Sequence, residues 1–462
     1  MMIYKYGGDY NPYDASDNNF CDNGLFNPDR IPNPHADEVK YFYQNIWATP
    51  IDLSKGVIAV YNEHYFCNLS AYRLEWTVVV EGEAVQNGVV DALDVPAQQT
   101  RQLNLPYQLE GIASGKEVLL NVRFVLKHQE NLLPAGYEVA KSQMVISPYT
   151  FAQTASVAAS QHVHTPVALP TVNQENANYL RIRGEKCAVD FDKKSGYMTL
   201  YEVNGVSMLR DGGSLVPNFW RAGTDNDYGG NVHKAYAVWR SPKIQMKSLD
   251  AEAKDNGVEV RAVYDIPEVK ARLSLTYAIN PAGQIKVTQK MVATKDAKVS
   301  DLYRFGMRIE MPKEMEHSTY YGRGPVENYA DRKTSAFIGL YTQTADEQAY
   351  PYIRPQETGA KSDVRWWKQT TLGGQGLKVV SDAPFHASAL HYTIELLDDG
   401  AEKDQRHFQE VTPADYTELC IDKVQTGLGG ATSWGNSAYA LPQYRLPYKD
   451  YEFSFTLIPV NH

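Results

Sequence analysis

Short stretches in which apolar and polar residues alternate occur along most of this 462-residue chain. In residues 120–126, for example, Leu120, Val122, Phe124 and Leu126 occupy every second position. Successive side chains of a β-strand point to opposite faces of its sheet, so this spacing predicts strands with one buried face. Helical patterns are few and short. The chain is therefore predicted to be all-β.

The strand-like stretches fall into two groups. Residues 38–147 have the length and turn spacing of an immunoglobulin-like sandwich. Residues 148–177 are rich in Ala, Thr, Ser, Gln and Pro, which predicts a linker. Strand-like runs separated by Gly, Asn and Asp then fill residues 178–462 and predict a large β-sandwich. Residues 1–37 are crowded with turn-forming residues and are interpreted as an ordered loop.

The charge and the terminal sequence limit the partners. A formal net charge of −10 disfavours nucleic acid, which needs a basic surface, and gives no reason to expect an anionic membrane. A neutral ligand such as a sugar fits this charge. The N-terminus lacks the basic and apolar regions of a signal peptide, and no apolar run reaches the roughly 20 residues of a membrane span. A soluble protein is expected, and its compartment stays open.

Several common catalytic and metal-binding motifs are missing. The sequence contains no phosphate-binding GxxxxGK[ST], no HExxH, no GxSxG and no CxxC. The run Asp225–Asp227 resembles the start of a calcium loop, but Gly229 and Tyr236 occupy positions that need oxygen ligands. The dipeptide Asn62-Glu63 is similar to the Asn-Glu of many barrel glycosidases, yet it lies in a strand-like segment rather than after a barrel strand.

Six separated segments resemble the C-terminal region of large bacterial β-galactosidases of glycoside hydrolase family 2. In chain order they are YGGDY, NNFCDNGLFNPDRIPNPHADEVK, FWRAGTDNDYG, YYGRGPVENYADRKTSAFIGLY, PYIRPQETG and GLGGATSW. The resemblance implies that residues 1–37 leave the catalytic barrel, that a fourth domain follows, and that a mutarotase-like fifth domain ends the chain. In that family two glutamates hydrolyse terminal β-galactosides with retention. These glutamates and the magnesium ligands precede the region that this chain resembles, so no catalytic residue is expected here.

The resemblance also implies half of a sodium site. Phe20 and Asn23 match positions at which the family binds sodium through a backbone carbonyl and a side-chain oxygen, and the sugar's 6-hydroxyl completes the shell. Phe20 is therefore expected next to the substrate as well. Neutral oxygen dipoles suit a hard monovalent cation. The alternative from the residues alone is a loop Asn that caps its own turn.

Trp434 matches a tryptophan that the family places at the mouth of the active site, where it stacks on sugar rings. An indole offers an apolar face to a pyranose and a polar N–H at its edge. Its surroundings, GLGGATSWGNSA, are small and polar, which favours an exposed loop over a sandwich core. The family often has two acidic residues where this chain has Ala431-Thr432.

Gly229 and Gly230 match the start of a loop that closes over the site in the family. Adjacent glycines can serve as a hinge because they accept unusual φ values, although a plain turn is an equal alternative. The polar residues Arg221, Asp225, Asn226 and Asp227 are interpreted as a network at the base of this loop. Asp331 and Arg332 are assigned a similar structural role.

Three functions compete at this stage. The first is a non-catalytic part of a β-galactosidase, joined to its catalytic barrel, that binds galactosides and forms homo-oligomers when intact. The second is an independent sugar-processing enzyme of the mutarotase or lyase type, with candidate acid–base residues His317, His386, His391 and His407. The third is a module that only binds sugar or only supports assembly.

Overall fold

The computed structural model describes residues 3–11, 22, 24–151 and 168–460. The chain forms two compact units. The first, called the large unit, comprises residues 1–31, 151–333 and 341–462, and the second, called the sandwich unit, comprises residues 32–150 and 334–340. Phe20 and Asn23 lie outside the described residues, as does most of the predicted linker.

The sandwich unit contains one helix, α1 (His35–Phe42), and two antiparallel sheets. Its strands are β1 (Ile46–Asp52), β2 (Val57–Asn62), β3 (Tyr72–Val80), β4 (Glu83–Val90), β5 (Thr100–Asn104), β6 (Val118–Leu126) and β7 (Glu138–Ser147). One sheet has the order β1-β2-β5 and the other β4-β3-β6-β7. Side chains that alternate along β3 and β6 are buried in one apolar core.

Trp76 shows how this core sets a local requirement for glycine. Its indole packs 5.9 Å from the ring of Tyr107, measured between centroids, and β3 pairs Trp76 with Gly88 on β4. A Cβ on Gly88 would lie 2.4 Å from Cζ2 of Trp76. Only glycine leaves room for the indole at that position.

The large unit contains most of the strands. They are β8 (Thr171–Asn173), β9 (Tyr179–Arg183), β10 (Cys187–Asp192), β11 (Met198–Val203), β12 (Val206–Ser207), β13 (Leu215–Asn218), β14 (Gln245–Lys254), β15 (Gly257–Ile266), β16 (Ala271–Ile279), β17 (Ile285–Ala293), β18 (Arg304–Pro312), β19 (His317–Gly324), β20 (Phe337–Thr344, beginning in the sandwich unit), β21 (Lys361–Thr370), β22 (Gly376–Leu390), β23 (Tyr416–Gln425) and β24 (Tyr451–Val460). Its short helices are α2 (Asp225–Gly229), α3 (Val232–Ala235), α4 (Ala345–Gln348) and α5 (Ile394–Leu397).

The strands of the large unit form one hydrogen-bonded network. Strands β14 to β17 are successive antiparallel neighbours, and β17 then pairs with β24. Strand β18 lies between β13 and β23, while β22 pairs with β21, β23 and β24. A continuous apolar core fills the space between these strands.

The architecture confirms the all-β prediction of a two-sheet sandwich and a larger β-sandwich. Helices are limited to single short segments in the part of the chain that is described. Among these residues, no helix has both the length and the apolar character required to cross a bilayer.

Candidate functional site

Trp434 lies on the connection between β23 and β24 in the large unit. Its side chain is 73% exposed, which makes it a prominent exposed aromatic residue rather than part of a core. The loop around it is ordered by its own polar groups: Ser437 Oγ donates to the Trp434 carbonyl at 2.8 Å, and Thr432 N donates to the Ser437 carbonyl at 3.2 Å. The indole therefore stands on a structured loop.

The stem of the Trp434 loop is held by the guanidinium of Arg221. This side chain is 1% exposed and donates to the carbonyl oxygens of Thr426 at 3.2 Å and Gly427 at 3.1 Å. It also donates to both carboxylate oxygens of Asp227 at 3.0 Å. Burial opposes the charged form, but the carboxylate of Asp227 outweighs it and raises the pKa of Arg221. The guanidinium thus remains charged.

Asp331 holds the same stem from the amide side. Its Oδ2 accepts hydrogen bonds from the backbone amides of Leu428 at 2.8 Å and Gly429 at 3.2 Å. A Cβ on Gly427 would lie 2.5 Å from that oxygen, so glycine permits this close approach. The neighbouring Arg332 instead forms an ion pair with Glu327. Asp331 and Arg332 thus serve different parts of the structure.

Gly229 and Gly230 form a corner at the end of α2, directly beside the Trp434 loop. A Cβ on Gly229 would lie 2.0 Å from the carbonyl oxygen of Ser433, and one on Gly230 would lie 3.0 Å from Cβ of Ala438. Gly230 has an ordinary φ of −89°, so space rather than a positive φ explains its requirement. The opening and closing of this segment stays a prediction.

Of the polar residues that the sequence suggested as a network, Arg221 and Asp227 are joined directly, whereas Asp225 pairs with cations of other segments. Thr224 caps α2: its Oγ1 accepts a hydrogen bond from Asp227 N at 3.2 Å, and its own backbone N donates to the Asp227 carboxylate at 2.9 Å. Asp225 pairs with Arg354 Nε at 2.9 Å and Lys403 Nζ at 2.9 Å. Burial raises the pKa of the Asp225 carboxyl, but these cations outweigh it and lower the pKa overall.

Other candidates from the sequence serve local structure. Asn62 is buried, and its amide donates to the carbonyls of Cys67 at 2.8 Å and Val95 at 2.9 Å. Glu63 accepts a hydrogen bond from the indole of Trp47 at 2.6 Å. These contacts give the Asn-Glu dipeptide a role in holding loops of the sandwich unit.

The candidate histidines have different surroundings. His386 is buried on β22 and pairs across the sheet with Asp422, and burial lowers the pKa of its imidazole to about 4. His391 Nδ1 lies 3.1 Å from Asp346, on the turn of α4. His407 lies between Asp9 and Glu410, and His317 begins β19. No shared set of partners connects these four among the described contacts.

A buried cluster of charge was missed by the sequence analysis. Arg304 on β18 donates to Glu357 at 2.9 Å and to Asp422 at 3.2 Å, and all three side chains are buried. Arg304 and Glu357, together with Glu418 and Cys420, border a small cavity of about 20 Å³, enough for one water molecule. Glu357 lies in the PYIRPQETG segment, but no local pattern links it to residues 53 and 65 positions away.

No group of three or more potential metal ligands occurs among the residues that the structure describes. Phe20 and Asn23 belong to the part of the chain outside that description, so the sodium site stays a prediction. Asp22, which the structure does describe, is partly buried, and burial raises the pKa of its carboxyl.

Three family models match the chain in succession. The model of the glycosyl hydrolase family 2 TIM barrel domain matches residues 1–48, and that of β-galactosidase domain 4 matches residues 58–147. The model of the β-galactosidase small chain matches residues 183–457, which is more than half of the chain. This order agrees with the resemblance described above.

Curated relatives are β-galactosidases. The chain is 33% identical to one from Priestia megaterium over 462 aligned residues, covering 98% of this chain and 42% of the relative. It is 28% identical to one from Halalkalibacterium halodurans (94% and 41% coverage) and 29% identical to BgaC from Bifidobacterium adolescentis (96% and 41%). The chain thus spans about two fifths of the length of these relatives.

Similar solved structures include a putative aldose 1-epimerase from Escherichia coli K12, with a TM-score of 0.34, 11% identity, and coverage of 63% of this chain and 99% of that one. A GalM/aldose epimerase homologue from C. elegans has a TM-score of 0.32, 10% identity, and coverage of 64% and 99%. The sequence matches carry the assignment: this chain belongs to the β-galactosidase small-chain family and corresponds to the C-terminal part of family 2 β-galactosidases.

Proposed function

We propose that this chain is the non-catalytic C-terminal part of a retaining β-galactosidase and supplies Trp434 as a stacking surface for the sugar or its aglycone. The exposed indole of Trp434 on an anchored loop is the observation that carries the proposal. A freely moving tryptophan would lose conformational entropy on binding, whereas an anchored one is already oriented. An aromatic face also suits the C–H side of a pyranose.

In this proposal the two glutamates and the magnesium ligands lie in a catalytic barrel outside these residues. Phe20 and Asn23 would supply a backbone carbonyl and a side-chain oxygen to sodium, with the sugar hydroxyl as a further ligand. The Gly229–Gly230 corner would close beside Trp434. Partner surfaces would join the chain to that barrel and to other copies of the enzyme.

The test is a calorimetric titration of the chain with methyl β-D-galactoside. We expect saturable binding that is lost in Trp434→Ala, because that variant removes the stacking face. Phe66→Ala is the matched control, since Phe66 is an exposed aromatic residue of the sandwich unit, 96% exposed. Equal binding by the wild type and Trp434→Ala would contradict the proposal.

The same preparation is assayed with a chromogenic β-galactoside. We expect no turnover by the chain alone, because the proposal places the bond-breaking carboxylates elsewhere. Turnover that disappears on changing a carboxylate of this chain would show an independent enzyme. Acceleration of galactose anomer exchange would favour the mutarotase alternative.

A further inference from the structure

We propose that Arg221 is the positioning residue for Trp434, because its one buried guanidinium fixes both the stem of the Trp434 loop and the helix that ends at the Gly229–Gly230 corner. The inference rests on the proposed function, since the position of the indole matters only if Trp434 contacts a sugar. In this inference the orientation of the Trp434 indole depends on the buried side chain of Arg221.

The donors of Arg221 are divided between two elements. The Nη2 group donates to Asp227, within α2, and to the carbonyl of Gly427, while Nη1 donates to the carbonyl of Thr426. The planar guanidinium has five N–H donors in a fixed fork, which lets it bind a carboxylate and two carbonyls together. A lysine ammonium has the charge but not the fork.

One face of the guanidinium packs against an aromatic ring. Its Cζ lies 4.6 Å from the ring centroid of Tyr303, close enough for a cation–π interaction. The tyrosine is fully buried, so this contact is shielded from water. The orientation of the Arg221 guanidinium is thus fixed by the ring against its face as well as by the hydrogen bonds of its N–H groups. Its partners are held in turn by those hydrogen bonds.

The two elements that Arg221 joins meet again at the indole. Gly229 lies against the Ser433 carbonyl, and a Cβ there would also be 3.6 Å from Cε3 of Trp434. The stem is held at residues 426–427 by Arg221 and at residues 428–429 by Asp331. A shift of Arg221 would therefore act on the loop at its stem and, through α2, beside its tip.

The experiment uses the full chain labelled with 5-fluorotryptophan, with the Trp434 resonance assigned by its loss in Trp434→Phe. Arg221→Lys keeps the charge but removes the fork, so we expect the Trp434 resonance to shift or broaden before any ligand is added. Affinity for methyl β-D-galactoside is expected to fall about tenfold, as for one lost charge-assisted hydrogen bond.

Arg308→Lys is the matched control. Arg308 also pairs with two carboxylates, Glu395 and Glu418, and these partners lie outside the Trp434 loop. An unchanged Trp434 resonance in folded Arg221→Lys would overturn the inference, as would an equal change in Arg308→Lys. If Arg221→Lys does not fold, the test uses Asp331→Asn, which weakens the hydrogen bonds of the same stem. An unchanged Trp434 resonance in that variant would overturn the inference.

The two proposals can fail separately. An unchanged Trp434 resonance of the wild type on addition of the galactoside would contradict the proposed function. The comparison of unliganded Arg221→Lys with Arg308→Lys would still test the positioning role. Conversely, a galactoside response in the wild type together with an undisturbed Trp434 in Arg221→Lys would contradict the positioning role alone.

Discussion

The two units differ in how many charged side chains they bury, although both are built from β-strands. Among the described residues of the sandwich unit, Glu117 is the one buried charged side chain. The ion pairs of the sandwich unit lie at its surface, as where Glu75 contacts the exposed side chains of Arg73 and Arg123. In the large unit, several arginines are almost fully buried against carboxylates: Arg221, Arg304 and Arg354.

The difference separates two ways of defining a structure. The apolar pattern of the sandwich unit is sufficient to define its strands and core. The buried ions of the large unit connect loops that no strand pairing fixes, such as residues 221–230 and 426–429. A buried ion pair adds little net stability because both charges lose water, but it strongly disfavours arrangements in which one partner is missing. Buried charge therefore defines loop positions here.

The largest expected effect tests the buried cluster. Arg304→Met leaves the carboxylate of Glu357 buried without its cation, so we expect the free energy of unfolding to fall by about 4 kcal/mol. Chemical denaturation followed by circular dichroism measures this. A loss below about 1 kcal/mol, typical of a surface pair, would remove the contrast between the two units.

A smaller, pH-dependent effect is expected from Asp422 in the same cluster. One guanidinium serves two carboxylates, and burial raises the pKa of Asp422 to about 7. The unfolded chain releases this proton near pH 4, so the folded state binds more protons between these values. Its contribution to stability is complete below about pH 4 and is lost as the pH rises through about 7.

Thermal unfolding of Asp422→Asn between pH 4 and 8 isolates this contribution. The stability of the wild type relative to Asp422→Asn should fall as the pH rises from about 4 to about 7, because only the wild type has this proton to release. Asp382→Asn, which alters an exposed carboxylate on β22, is the control. Parallel pH profiles for the wild type and Asp422→Asn would refute the shifted titration.

The smallest effect is expected on the surface of the sandwich unit. Glu75→Gln removes the carboxylate that contacts Arg73 and Arg123, whose side chains are 39% and 55% exposed. Because solvent screens these pairs, we expect a change in unfolding free energy of about 0.5 kcal/mol or less. The same denaturation experiment measures it. A cost as large as that of Arg304→Met would show that exposure does not explain the difference between the units.

Part of the candidate site could be predicted from short segments. Small, polar neighbours indicated that Trp434 is exposed, and the structure shows the exposed loop. Arg221 and Asp227 are six positions apart in FWRAGTDNDYG, and their network could be inferred from that segment. The hinge role of Gly229 and Gly230 stays a prediction, and the tertiary structure adds a packing reason for glycine there, namely the close approach of Ser433 and Ala438.

The sequence by itself determined the strand content, since side-chain alternation is a local property that follows from the geometry of an extended backbone. Only the tertiary structure decided which buried charges meet. Arg304, Glu357 and Asp422 come together through the register of distant strands and the closure of the loops between them. The same holds for Arg221 and the carbonyls of residues 426 and 427, because hydrogen bonds between segments about 200 residues apart leave no periodic pattern in either segment.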